Sequence, residues 1–89
     1  MSMEHEIQQL LADVLGIDRS KITSATNTHN LEAWDSVNHL SVVMELEMRY
    51  GVSFSPEEMT EIISVPAIVA AIQAKVGADG ADDTRGDSG

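Results

Sequence analysis

Residues 35–51 read DSVNHLSVVMELEMRYG and carry the signals of one complete helix. Asp35 is suited to cap its start, because a carboxylate can accept hydrogen bonds from the first free backbone N–H groups. Gly51 is suited to end it, since glycine tolerates the left-handed conformation that often follows a last turn. The stretch therefore predicts a helix, helix 2 of the chain, from Ser36 to about Tyr50.

Upstream, apolar residues recur at helical spacing and predict helix 1 from about Met3 to Leu15, with Gly16 to end it. Residues 17–35 lack this periodicity and are rich in Ser, Thr and Asn, which favour turns. A loop this long in a small domain is often functional. Three apolar residues should pin it to the core: Ile17, Ile22 and Leu31.

Downstream, residues 55–58 read SPEE, a capping box with proline at the first helical position, and predict a short helix through about Ile63. Pro66 should open a last helix. Residues 77–89 are small and polar and predict a disordered acidic C-terminal tail. The sequence thus predicts an all-α fold in residues 1–76: a small four-helix bundle of three longer helices and one short helix, with a long loop between helices 1 and 2.

The composition limits the classes of function. The chain has 89 residues, which is one domain at most and leaves little material for a deep enzyme cleft. Its net charge of -10, from 15 acidic and 5 basic residues, repels phosphates, so neither nucleic acid nor a membrane is an expected partner. The chain contains no cysteine, which excludes a thiol nucleophile in the polypeptide. Aromatic residues make up only 3%, so an aliphatic core is expected.

Neither a targeting segment nor a metal site is predicted. Residues 1–6 lack the basic and apolar blocks of a signal peptide, and no apolar run could span a membrane, so a cytoplasmic monomer is expected. The histidines His5, His29 and His39 lie on separate elements without metal-ligand spacing. His39 shares a side of helix 2 with Val43; a hydrogen-bonded histidine at the core edge is favoured, and a cavity-lining role is the alternative.

Ser36 is the candidate functional residue. In the first turn of helix 2 its hydroxyl would lie at the positive end of the helix dipole, where a phosphate ester is favourably placed. The long preceding loop leaves room for an incoming enzyme. A serine after an aspartate cap is also ordinary helix-start chemistry, so Asp35 and Ser36 alone leave both interpretations open.

From residue 7 to residue 76 the chain resembles acyl and peptidyl carrier proteins. The matching segments are Leu15-Gly16-Ile17, LEAWDSV at 31–37, MELEMRYGVSF at 44–54, and residues 65–72. In that family the serine of an Asp-Ser-Leu motif receives 4'-phosphopantetheine from coenzyme A. The resemblance places this role on Ser36, with Val37 instead of the usual leucine, and implies that Asp35 helps position the metal ion of the modifying transferase.

The resemblance implies a carrier and not an enzyme. Acyl or aminoacyl groups would travel as thioesters on the arm between separate enzymes of fatty acid, polyketide or nonribosomal peptide biosynthesis. The implied partners are a phosphopantetheinyl transferase, an acyl- or aminoacyl-loading ligase, and downstream transferase or synthase enzymes. The acidic residues usual along helix 2 are diluted here, which favours a specialised over a housekeeping fatty acid pathway. The alternative is an unmodified acidic helical adaptor that binds partner proteins through the face of helix 2.

The apolar residues of helix 2 fall into two sectors at about 100° per residue. The expected core sector consists of Val43, Leu46 and Tyr50. The second sector lies near Ser36, and its methionines would adapt to varied partners or to acyl chains, so part of it is expected to dock partner enzymes or to guard an acyl pocket. Together with two acidic neighbours it is the predicted partner-binding surface: Val37, Leu40, Met44, Glu45, Glu47 and Met48. Wider core packing is the alternative explanation of this second sector.

Overall fold

The protein is described by a computed structural model that covers the backbone of residues 2–82 and the side chains of residues 2–76. In this part of the chain the helices are α1 (Met3–Leu15), α2 (Ser36–Tyr50), α3 (Pro56–Met59) and α4 (Val65–Asp82). A single 3-10 turn, Arg19–Lys21, lies in the loop between α1 and α2. The described residues form no strand. The predicted all-α bundle is confirmed, and so are the predicted bounds of the first two helices.

Two glycines end the helices that frame the long loop and the core. Gly16 follows α1 with φ of 69°, and Gly51 follows α2 with φ of 65°. A side chain at either position would meet no atom within 4 Å. Glycine is therefore required here by the left-handed backbone and not by lack of space.

The core lies where α1 packs against α2 and α4. Its fully buried aliphatic residues include Ile7, Leu10, Leu11, Val42, Leu46, Ile68 and Ile72. The expectation of a purely aliphatic core is wrong in two places, because Trp34 and Phe54 are also buried, at 1% and 8% exposure. Both come from irregular segments, where no helical period marks a buried position in the sequence.

The long loop is fastened to the segment between α3 and α4. Ile22 is buried and Ile17 and Leu31 pack against the core, as predicted. The backbone N–H of Thr28 donates to the carbonyl of Ile63 at 3.0 Å. Ile63 therefore belongs to the segment that pairs with the loop, and α3 ends at Met59, earlier than the sequence predicts.

The last helix differs from its prediction at both ends. It begins one residue before Pro66, and the hydroxyl of Ser64 accepts a hydrogen bond from the backbone N–H of Ala67 at 3.2 Å. Its backbone continues to Asp82, whereas the sequence predicted the tail to begin at residue 77. No proline interrupts residues 77–82, so every backbone N–H remains available to the helix. Residues 83–89 of the predicted tail lie outside the described part.

Within residues 2–82, none of the helices combines the length and the apolar character needed to cross a bilayer.

Candidate functional site

Asp35 and Ser36 stand at the N-terminal end of α2. Asp35 has an extended backbone, and its carboxylate accepts a hydrogen bond from the N–H of Asn38 at 2.8 Å. Ser36 is the first helical residue, and both side chains are exposed to solvent. The hydroxyl of Ser36 is therefore accessible at the positive end of a helix of 15 residues.

The turn that precedes Ser36 is held in place by hydrogen bonds and by the buried side chain of Trp34. The backbone N–H of Trp34 donates to the carbonyl of Leu31 at 3.0 Å, and the Asn38 side-chain amide donates to the carbonyl of Ala33 at 2.8 Å. Trp34 is buried to 99% of its surface, with an exposure of only 1%. The exposed serine thus follows two residues after a fixed core side chain, which restricts where its hydroxyl can lie.

His39 connects this turn to α3. The indole N–H of Trp34 donates to His39 Nδ1 at 2.9 Å, and His39 Nε2 lies 2.8 Å from the carbonyl oxygen of Met59. An indole nitrogen only donates and a carbonyl only accepts, so the imidazole is neutral with its proton on Nε2. We call this arrangement the Trp34–His39–Met59 bridge. It confirms the favoured interpretation of His39 as a hydrogen-bonded residue at the core edge.

An apolar groove of about 550 Å³ opens beside Ser36. Its lining comes from the long loop, the first turns of α2, α3 and the segment after α3, and it includes Trp34, Ser36, His39, Leu40, Met59 and Ile63. His39 therefore lines a cavity as well as forming hydrogen bonds, so both interpretations of this residue hold. The sequence indicated a cavity only on the side of helix 2; it did not indicate the other walls, because the lining residues are separated by up to 35 positions in the chain (Thr28 and Ile63).

These features fit a phosphate-linked arm of the kind that the resemblance implies. The Ser36 hydroxyl is exposed, so an enzyme can reach it, and the N–H groups of the first turn of α2 favour a phosphodiester charge next to it. The adjoining groove offers apolar surface for whatever such an arm carries. Within residues 2–82, no three metal-ligating side chains converge.

The second sector of α2 lies on the surface. Val37, Leu40, Met44 and Met48 are exposed at 73%, 56%, 62% and 73%. Wider core packing therefore does not explain them. The predicted core sector is buried at Val43 and Leu46, together with Val42, while Tyr50 is half-buried.

The two acidic residues predicted with this surface have different surroundings. Glu45 forms an ion pair with Arg49 one turn later, at 3.2 Å. Glu47 accepts a hydrogen bond from the backbone N–H of Phe54 at 2.8 Å and so holds the turn after α2. Glu47 thus has an internal structural contact that the sequence pattern did not indicate.

Two titratable groups away from Ser36 are perturbed. Burial, followed by a hydrogen bond to Glu6 at 2.9 Å, raises the pKa of Tyr50 to about 12. The backbone N–H of Ser55, followed by the Lys75 ammonium, lowers the pKa of the Glu58 carboxyl. Both groups hold elements together, since Tyr50 joins α2 to α1 and Glu58 joins α3 to α4.

Comparisons with known proteins identify the family of the chain. The sequence model described as "Phosphopantetheine attachment site" matches residues 5–72. An acyl carrier protein of Rubrobacter xylanophilus is 38% identical over 65 residues, which cover 72% of this chain and 79% of that protein. Polyketide-8 synthase acyl carrier protein 2 of Streptomyces avermitilis is 29% identical over 82 residues, covering 92% and 88%. An acyl carrier protein of Thermotoga maritima is 26% identical over 72 residues, covering 81% and 89%.

Proposed function

The chain belongs to the phosphopantetheine attachment site family, whose acyl carrier proteins are carriers and not enzymes, and we propose that Ser36 bears the 4'-phosphopantetheine arm. The observation that carries the proposal is the exposed Ser36 hydroxyl at the capped head of α2, beside an apolar groove. Serines elsewhere in the described chain lack this combination of helix dipole, exposure and groove.

Modification of Ser36 is a phosphoryl transfer. The hydroxyl oxygen forms a bond to the phosphorus nearer the pantetheine in coenzyme A, and the diphosphate bond breaks. Adenosine 3',5'-bisphosphate leaves, and the hydroxyl proton passes to a base of the transferase. The first-turn N–H groups of α2 would stabilise the phosphodiester charge, and the exposed Asp35 carboxylate is proposed to help hold the transferase's metal ion.

When bound, the arm supplies the thiol that this cysteine-free chain lacks, and acyl or aminoacyl groups are held on it as thioesters. The protein itself contributes a fixed attachment point and surfaces for its partners. The partners expected from the sequence are a transferase, a loading ligase and downstream transferase or synthase enzymes. They remain part of this proposal, as does a monomeric carrier in the cytoplasm.

Partner enzymes are proposed to dock on the exposed face of α2, which consists of Val37, Leu40, Met44 and Met48. The exposure of these four side chains supports this docking role, because large apolar side chains that form a contiguous stripe in water usually bind another molecule. Glu45 belongs to the predicted surface, where its carboxylate pairs with Arg49. Glu47 belongs to the predicted surface, although its carboxylate already binds the N–H of Phe54.

The pathway is proposed to be specialised and not housekeeping fatty acid synthesis. The support is the docking face itself, where methionines and the Glu45–Arg49 ion pair replace a continuous acidic row. A partner for this face would need an apolar groove more than a basic one. One of the similar proteins is named as a polyketide synthase acyl carrier protein, which agrees with a specialised role.

Transfer of the arm tests the proposal. The full chain is incubated with coenzyme A and a broad-specificity phosphopantetheinyl transferase, and the intact mass is recorded for native protein, Ser36→Ala and Ser41→Ala. Ser41 is the matched control, because it is another exposed serine on α2. One phosphopantetheine adduct is expected on the native chain and on Ser41→Ala, and none on Ser36→Ala. An unmodified native chain would instead support the adaptor alternative.

A further inference from the structure

The walls of the groove beside Ser36 are tied together by a single side chain. His39 and Leu40 belong to the α2 wall, and Met59 belongs to the α3 wall. The His39 Nε2–H donates across the groove lining to the Met59 carbonyl at 2.8 Å. The same imidazole accepts from Trp34, so one residue fixes the loop, α2 and α3 with respect to one another.

The tie lies in the inner part of the groove. Trp34 is buried, and His39 and Met59 are half-buried, whereas the lining residues Ser36 and Leu40 are exposed. A group that enters from the Ser36 side therefore meets the Trp34–His39–Met59 bridge at the less accessible end.

The α3 wall depends on contacts with other elements. α3 has only 4 residues, too few to be stable without contacts to other elements. Polar side-chain contacts hold it from two sides: Glu58 binds Lys75 of α4 at 3.0 Å, and the Met59 carbonyl accepts from His39. Loss of the His39 contact would leave the groove side of α3 without its hydrogen bond to α2.

We propose that His39 is a specificity-determining residue, because its tie between α2 and α3 limits the size of the acyl group that the groove can shelter. The inference rests on the proposed attachment at Ser36. The occupant is an aliphatic acyl group of this protein's own arm. Two observations favour it: Ser36 is part of the lining, and most of the remaining lining is carbon, including Leu40 and Ile63.

The test compares acyl chain lengths in the full protein. A broad-specificity phosphopantetheinyl transferase loads native protein, His39→Leu and His39→Gln with phosphopantetheine from coenzyme A, or with hexanoyl- or dodecanoyl-phosphopantetheine from the matching coenzyme A thioester. Loading is confirmed by intact mass. The Tm and the fluorescence of Trp34, the only tryptophan, are then measured. In native protein, hexanoyl loading should raise the Tm by about 4 °C or more and change the Trp34 emission, through burial of its methylenes. Dodecanoyl loading should add no further increase.

In His39→Leu the dodecanoyl form should be stabilised more than the hexanoyl form, because the walls can separate. His39→Gln can still donate toward Met59 and should keep the native order of Tm increases. His39→Ala, which cannot reach Met59, should show the same changed order as His39→Leu and replaces it if His39→Leu fails to fold. Ser41→Ala, on α2 but outside the lining and outside the docking face, is the control and should keep the native order of Tm increases. The inference would be overturned if the increases in Tm with hexanoyl and dodecanoyl chains were the same in His39→Leu as in native protein. It would also be overturned if loading left the Tm and the Trp34 emission of native protein unchanged. Failure to form any adduct would overturn the proposed function instead.

Discussion

The two faces of α2 use similar side chains for opposite purposes. On one face Val42, Val43 and Leu46 are exposed by 3% or less, while on the other the exposures of the apolar residues lie between 56% and 73%. Hydrophobicity alone therefore does not decide which residues form the core of this helix. The buried face is set by where α1 packs, and the remaining apolar stripe is available for other molecules.

The boundary between the faces is occupied by the Trp34–His39–Met59 bridge and the groove. His39 lies one helical turn after Asp35, and its imidazole points between α2 and α3 rather than to solvent. Ser36 thus lies where core, groove and exposed stripe meet. A carrier needs this arrangement, because it must hold one point rigidly while presenting surface to several enzymes.

The largest expected effect is on the free energy of unfolding, which alanine substitutions on the two faces of α2 should lower by different amounts. Leu46→Ala removes a fully buried side chain and should lower the free energy of unfolding by about 2–5 kcal/mol. Met48→Ala, on the exposed face of the same helix, should change it by less than about 0.5 kcal/mol. Urea unfolding followed by circular dichroism measures both. Comparable losses for the two variants would contradict the assignment of the faces.

The next effect is a loss of folding stability when the N-terminal cap of α2, Asp35, is removed. Asp35→Ala removes the carboxylate that accepts from Asn38 and should cost about 1 kcal/mol of folding stability. Asp35→Asn can still accept that hydrogen bond and should remain close to native stability. If the carboxylate also serves the transferase's metal ion, both variants should slow arm transfer. Normal transfer to Asp35→Asn would restrict Asp35 to a capping role.

The sequence predicted the features that depend on local signals, and it did not predict those that depend on contacts between distant segments. Caps and glycines are local signals, so the bounds of α1 and α2 follow from Asp35, Gly16 and Gly51. The sequence predicted α3 to continue to about Ile63, but it ends at Met59 and Ile63 pairs with Thr28, which is 35 positions away and outside any local pattern. Trp34 lies in the segment 31–37 that resembles the carrier family, but its burial and its hydrogen bond to His39 are visible only in the structure.

A smaller effect should appear in partner binding. Met44→Ala removes apolar area from the exposed face without touching the core, so its Tm should remain native. The KM for transfer from a cognate loading enzyme should rise about three- to tenfold, which corresponds to roughly 1 kcal/mol of lost contact. Ser41→Ala is the matched control. An unchanged KM for both Met44→Ala and Met48→Ala would remove the docking role of this face.

The smallest effect lies at the C-terminal end of α2, where Tyr50 meets Glu6 of α1. The pKa of Tyr50 is raised from 10.0 to about 12, so the neutral phenol contributes stability that is complete below pH 10 and lost as pH rises through 12. The contribution should be below about 1 kcal/mol, because the contact is partly exposed. Urea midpoints between pH 9 and about pH 12 should fall more steeply for native protein than for Tyr50→Phe. Parallel slopes would contradict this assignment.

The most direct test of the central claim is the position of the arm in protein purified from the cells that produce it. Tandem mass spectrometry of a proteolytic digest should find phosphopantetheine on the peptide that contains Ser36, with fragment ions that assign it to that serine. Ser36→Ala expressed in the same cells should carry none. Phosphopantetheine on another residue, such as Ser41 or Ser20, or a fully unmodified Ser36, would contradict the account.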